Sequence, residues 1–180
     1  MIAVAGGKMD LWIFISCGAD RNTFRNVGVR VINRLGEFLV FDRGTGPILL
    51  NWDYRNDLPR DVPAGEFEQR SLEIVDRSHI LIGVLGPTVP PVTRKEILRA
   101  YERQAAGEQM RAYVLADPAM MEADHRRLLA QVRRDYHRDI SFGHYHSKED
   151  FLHQMYRTLF RYLLDQNAPP SPPGPVGGIT

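Results

Sequence analysis

One cysteine, Cys17, stands in 180 residues, so neither an internal disulfide nor a cysteine-built zinc site can form, and a chain without crosslinks suits a reducing cytoplasm. Long apolar runs are missing too. No stretch approaches the roughly 18 residues that a membrane-spanning helix needs, and the apolar start Met1–Gly7 is interrupted by Lys8 and Asp10 before it reaches the length of a secretory signal. Charge of one sign is equally scarce: 23 Lys and Arg face 22 Asp and Glu, a net charge of +1, too weak a field to hold nucleic acid or a membrane surface by counterion release. No Gly-x-Gly-x-x-Gly or Walker pattern occurs, which removes the commonest phosphate-cradling loops.

What is present is an ordinary globular balance, 43% hydrophobic and 25% charged, at the size of one domain. Residues 1–10 read as an N-terminal extension, 11–166 as the folded domain, and 167–180, with five prolines and three glycines, as a disordered tail or linker to a fused effector domain.

Leu11–Ser16 is a continuous apolar run closed by Cys17-Gly18, the pattern of a central strand buried on both faces. Phe24, Val27, Val31, Leu35 and Leu39 then recur at helical spacing, with Asp20 or Asn22 as N-cap. Ile48–Trp52 predicts a second strand and Pro63–Asp76 a helix with proline in its first turn. His79–Gly86 predicts a third strand, Pro87–Pro91 a rigid loop, Thr93–Gln104 a helix and Met110–Ala116 a fourth strand. A helix carrying Leu128, Leu129, Val132 and Tyr136, a short fifth strand over Ile140–Tyr145, and a last amphipathic helix through Phe151, Met155, Leu159, Tyr162 and Leu163 complete the order.

Alternating strands and helices predict an α/β, flavodoxin-like three-layer sandwich with a mostly parallel sheet of four to five strands in the order 2-1-3-4-5. Ligands of such sheets sit outside the carboxyl ends of the strands, where strand order reverses. That rule selects Ser16, Cys17, Gly18, Asp20 and Arg21 after the first strand, Trp52 and Asp53 after the second, and Gly86, Thr93 and Glu96 after the third.

Each candidate has a structural reading beside the functional one. Glu96 follows the best-defined strand, and its carboxylate facing the crevice would hold ribose hydroxyls, stabilise an oxocarbenium-like state or form a covalent ribosyl intermediate. Equally, Thr93-Arg94-Lys95-Glu96 fits a capping box that would only close the helix start. Trp52 and Asp53 either present an indole and a carboxylate to a flat base or cover the core beneath a loop. The helix after Ser16-Cys17-Gly18 offers free N–H groups to a phosphate that Arg21 and Arg25 would neutralise, while exposed helix arginines are as often only solvated. Cys17 reads as a small core residue rather than a nucleophile. The spacing of His137, His144 and His146, with His125 and His153 nearby, matches no metal motif, and no metal or bound cofactor is expected.

Three segments carry a family resemblance. Trp12–Asp20 is similar to the first strand and loop of Toll/interleukin-1 receptor (TIR)-like domains, which run from apolar residues through Ile-Ser to an acid; Asp76–Gly86 resembles their third strand. Thr93-Arg94-Lys95-Glu96-Ile97-Leu98-Arg99-Ala100 resembles the Thr-x-x-Glu-Ile/Leu-x-x-Ala stretch of active members. The chain thus looks like a bacterial TIR-like domain of the DUF4062 type, related to the nucleoside 2-deoxyribosyltransferases. Val92 stands where many relatives have tryptophan, and Pro87–Pro91 replaces the acidic third-strand loop of the transferases.

The resemblance implies a substrate, not a cofactor. Active TIR enzymes split NAD at the nicotinamide–ribose bond and the transferases cleave a nucleoside's glycosidic bond, both uses falling on Glu96. It also implies two functions: a cytoplasmic nucleotide hydrolase in bacterial immunity, or a non-catalytic module acting through self-association or a fused effector. The small-molecule partner would be a nucleotide, with no nucleic acid and no membrane.

Overall fold

A computed structural model describes residues 10–43, 48–52, 62–117, 123–137 and 142–167. Strand β1 (Asp10–Cys17) leads through a single 3-10 turn (Ala19–Arg21) into α1 (Asn22–Arg43), followed by β2 (Ile48–Asn51), α2 (Ala64–Arg77) and β3 (Ile80–Leu85). Then come α3 (Pro91–Ala105), β4 (Arg111–Ala116), α4 (Ala123–Tyr136), β5 (Phe142–His144) and α5 (Lys148–Asn167). All pairings are parallel and the order is β2-β1-β3-β4-β5, the predicted flavodoxin-like sandwich. Asp53 and the tail from 168 lie outside the described residues.

The period of two along a strand sorts side chains between the helical layers. In β1, Leu11, Ile13, Ile15 and Cys17 face α1 and α5, where Val31, Ile32, Leu35, Met155 and Leu159 complete one core. Phe14 faces the second core, with Ile74 and Val75 of α2, Ile97 and Tyr101 of α3, and Leu128 and Val132 of α4. Every residue of β3 is buried, as a central strand covered on both sides requires, which explains its unbroken apolar run.

Two boundaries differ from the sequence reading in ways that matter. Helix α3 opens at Pro91, with Pro90 as N-cap and no side-chain cap bond, because a proline at the first helical position loses no hydrogen bond and already has a helical φ. Strand β5 is only three residues long. After it the Tyr145 N–H donates to Ala116 O at 3.2 Å, the closing bond of the β4–β5 edge, and the Tyr145 hydroxyl reaches across to Leu85 O at 3.0 Å. Among the described residues no helix is long and apolar enough to cross a membrane.

Candidate functional site

Starting α3 at Pro91 decides the reading of Glu96. Thr93 becomes the third helical residue and Glu96 the sixth, three residues beyond the last position a capping box uses, so the expected capping box does not exist. The buried residues of α3 are Thr93, Glu96, Ile97, Ala100 and Tyr101, the i, i+3, i+4, i+7, i+8 stripe that faces the sheet. Glu96 occupies a core position and is 4% exposed.

There its carboxylate meets partners from other elements. Ser16, also buried and projecting from β1 toward the α2 and α3 layer, donates its hydroxyl to Glu96 Oε2. Ser71 of α2 also lies within hydrogen-bond reach of the carboxylate, and its hydroxyl reaches Glu68 O at 3.1 Å. One proton cannot serve both acceptors: Ser71 donates to Glu96 when the acid is ionised, and accepts from it while donating to Glu68 O when the acid is protonated. The Arg25 guanidinium, 8% exposed, adds positive charge, held by Cys17 O at 3.0 Å and Asn22 Oδ1 at 2.9 Å. Burial pushes the Glu96 carboxyl above the ordinary range, and the serine hydrogen bonds and Arg25 pull the other way without cancelling it.

Above this cluster the loop after β1 packs on the loop after β3. A Cβ on Gly86 would collide with the Asp20 carboxylate and the Arg21 Nε, and one on Gly18 would meet Asp20 Oδ1 at 2.5 Å and Pro90 Cγ at 2.9 Å. Glycine at both positions is what allows this approach. Arg21 is 8% exposed, paired with Asp20 at 3.3 Å, and lies 5.4 Å from the Phe24 ring centre. Cys17 points into the other core, where burial raises its thiol to about 11; Arg25, Glu96, Asp20 and Arg21 all act on it electrostatically. Such a thiol carries almost no thiolate at neutral pH and is no nucleophile.

Ser16, Gly18, Asp20, Arg21, Gly86, Thr93 and Glu96 therefore gather at the carboxyl ends of β1 and β3, with Cys17 beneath them. Trp52 does not join them. Its indole N–H donates to Ser78 Oγ at 2.9 Å, its ring stacks on Trp12 at 4.4 Å, and the Arg77 guanidinium lies 4.8 Å from the ring centre. Ser78 sits two helical turns beyond Ser71, about 10 Å along α2 toward the amino end of the sheet. The expected placement at the crevice mouth is corrected: the ring of Trp12 and the Ser78 hydroxyl oxygen, which accepts from the indole while its proton goes to Ile74 O at 2.7 Å, draw Trp52 the other way.

Sequence reasoning missed Ser71. Its signal was available, since Phe67, Ser71, Ile74 and Val75 form one helical stripe with a single polar member, the same pattern that marks Glu96. Among the described residues no group of three His, Cys, Asp or Glu side chains is placed to hold a metal ion.

No protein-family model and no curated protein sequence matches the chain. Among solved structures it is similar to a CMP N-glycosidase, BcmB, of Clostridium botulinum, at 16% identity and TM-score 0.46 over 81% of this chain and 98% of that one. It is also similar to the homoserine dehydrogenase of S. aureus, in one structure at 17% identity and TM-score 0.43 over 76% of this chain and 33% of that one. A second structure of that enzyme gives 14% identity and TM-score 0.44 over 86% and 44% of the two chains. Likenesses at this level carry no functional information.

Proposed function

We propose that this chain hydrolyses the N-glycosidic bond of a nucleotide, with NAD or a close relative as substrate, and that Glu96 is the carboxylate at the ribose. One observation supports this above the rest: an acid on the buried stripe of α3 is turned not to its own helix start but to a serine hydroxyl at the carboxyl end of β1, the place where parallel sheets of this order take ligands. A buried carboxyl with a raised pKa lowers stability when ionised, and such arrangements concentrate at functional sites.

On this reading ribose hydroxyls take over the hydrogen bonds that Ser16 and Ser71 give to Glu96. The ionised carboxylate faces C1′ as positive charge develops there. Nicotinamide leaves neutral with the electron pair of the C1′–N bond, so it needs no general acid. Water supplies the new C1′ hydroxyl and releases one proton. Arg21 and Arg25 favour the phosphate end of the substrate. The TIR-like resemblance supports NAD as substrate class and immunity signalling as the setting.

The non-catalytic alternative has its own observation: Phe160 and Leu164, 41% and 69% exposed, lie one turn apart on α5, an apolar edge suited to self-association. Chromatographic detection of free base after incubation with NAD and with mononucleotides separates the two. Base release by the wild type that Glu96→Gln abolishes supports the enzyme. No release from any of these, with self-association lost in Leu164→Glu, supports the module.

A further inference from the structure

A second concavity lies on the opposite face of the sheet, between the strands β4 and β5 and helix α5. β5 pairs only with Val114–Ala116, so on that edge the first half of β4 has no neighbouring strand among the described residues. Tyr113 and Leu115 point from β4 to the α5 side, and between them and α5 is a cavity of about 290 Å³. Helix α5 closes it with Gln154, Arg157, Thr158 and Arg161, spaced i, i+3, i+4, i+7 and so on one stripe. The adjoining stripe, Phe151, Met155, Leu159 and Tyr162, is buried in the core.

The chemistry of that polar stripe is one-sided. An ordinary solvated helix face alternates both signs of charge, whereas here four hydrogen-bond donors, two of them guanidinium groups one turn apart, line a concavity whose described lining contains no acid. Gly143 of β5 also lines it, and a Cβ there would run into Leu115, so glycine is what leaves room for that side chain in the wall of the cavity. Arg111, on the same face of β4 by the period of two, adds a further positive charge at the foot of the strand.

We propose that this cavity binds a phosphate monoester, with the phosphate held by Arg157, Arg161 and the Thr158 hydroxyl and the organic part lying on Tyr113 and Leu115. Two guanidinium forks and a hydroxyl offer more donors than one carboxylate can accept, and they match the three terminal oxygens of a phosphate group. The volume stands at the lower end of ordinary small-molecule pockets, which suits a sugar phosphate and is too small for a dinucleotide. The site uses the α1 and α5 face and none of the Glu96 cluster, so it stands whether or not that cluster is catalytic.

Calorimetric titration of the full chain tests it with inorganic phosphate, glycerol 3-phosphate and citrate. The expected result is saturable binding of inorganic phosphate in the millimolar range or tighter, stronger binding of glycerol 3-phosphate, and weak binding of citrate. Arg157→Ala with Arg161→Ala weakens phosphate binding at least about tenfold with an unchanged melting temperature, both side chains being exposed; the single Arg161→Gln, a gentler change, weakens it severalfold. Replacing both arginines by lysine keeps the charge but not the fork and gives intermediate affinity, while Glu96→Gln binds phosphate as the wild type does. Absence of saturable phosphate binding, equal affinity in the arginine variants, or citrate binding as tightly as glycerol 3-phosphate overturns the proposal.

Discussion

At the amino end of the sheet, Trp12, Trp52, Ser78, His79 and Arg103 direct their hydrogen bonds to one another and to the backbone, apart from the Arg103 ion pair with the exposed Glu108; at the carboxyl end, Ser16, Ser71 and Arg25 gather around an acid. The first set closes the fold. The Trp12 N–H donates to His79 Nδ1 at 3.1 Å and the His79 N–H to Trp12 O at 2.8 Å, while Arg103 Nη1 donates to the carbonyls of Val75 and Ser78 at 2.6 and 3.0 Å, acceptors at the carboxyl end of α2. Outside the surface Arg103–Glu108 pair, these contacts are met by groups that never change charge except the imidazole. In the second set burial holds a carboxyl away from its preferred ionisation, against the pull of Ser16, Ser71 and Arg25, and no packing requirement asks for an acid there. A leucine at position 96 would fill the stripe of α3 without that penalty.

The largest test of the contrast is Glu96→Gln. On the proposed reading it lowers base release by about 10²–10⁴-fold, the span for loss of a positioned acid–base or charge-stabilising group, while raising the melting temperature at neutral pH because an amide carries no ionisation penalty. Loss of activity together with loss of stability would erase the distinction between the two ends. Trp52→Ala goes the other way: removal of a stacked, hydrogen-bonded indole costs about 3 kcal/mol, read as a drop in the denaturation midpoint, with activity per folded molecule unchanged. Arg103→Ala should cost about 1.5 kcal/mol, the scale of a charged hydrogen bond, its side chain being 12% exposed.

How far these ends could be read in advance depended on whether a residue's partners lie on neighbouring elements. Strand order followed from alternation alone, because the unbroken apolar run of β3 admits only a central position and right-handed crossovers then fix the rest. Glu96 was legible as an acid after that strand, but its first-turn placement was wrong, since Thr93-x-x-Glu96 mimics a cap and only Pro90-Pro91 reveals the earlier start. Trp52 was misplaced because its partners, Trp12 and Ser78, come from segments far from it in sequence. Ser71 stood out locally only as the polar member of the apolar stripe Phe67, Ile74 and Val75; that it meets an acid on the next helix is, as for Trp52, a matter of distant sequence.

The finest test sets the two titratable groups against each other. The folded protein holds the Glu96 proton more tightly than the unfolded chain does, so the group's contribution is fully present in acid and is lost as pH rises through its raised pKa. The stability gain of Glu96→Gln therefore opens as pH climbs from the ordinary carboxylate range to the raised pKa, is full above it and closes in acid. His79 is the mirror case. Burial and the Arg103 charge hold its imidazole below the ordinary value, with Asp10 opposing them. Nδ1 must stay unprotonated to accept from the Trp12 N–H, so its contribution is present above the ordinary imidazole pKa and is lost as pH falls through the lowered one. His79→Ala is accordingly less stable than the wild type at pH values above that range, and the deficit shrinks on acidification. Melting curves of the three proteins across the acid range should show the two differences approaching zero from opposite sides; a Glu96→Gln gain that grows in acid would mean that the carboxyl is held ionised by Arg25, and that the two ends of the sheet are built on the same principle.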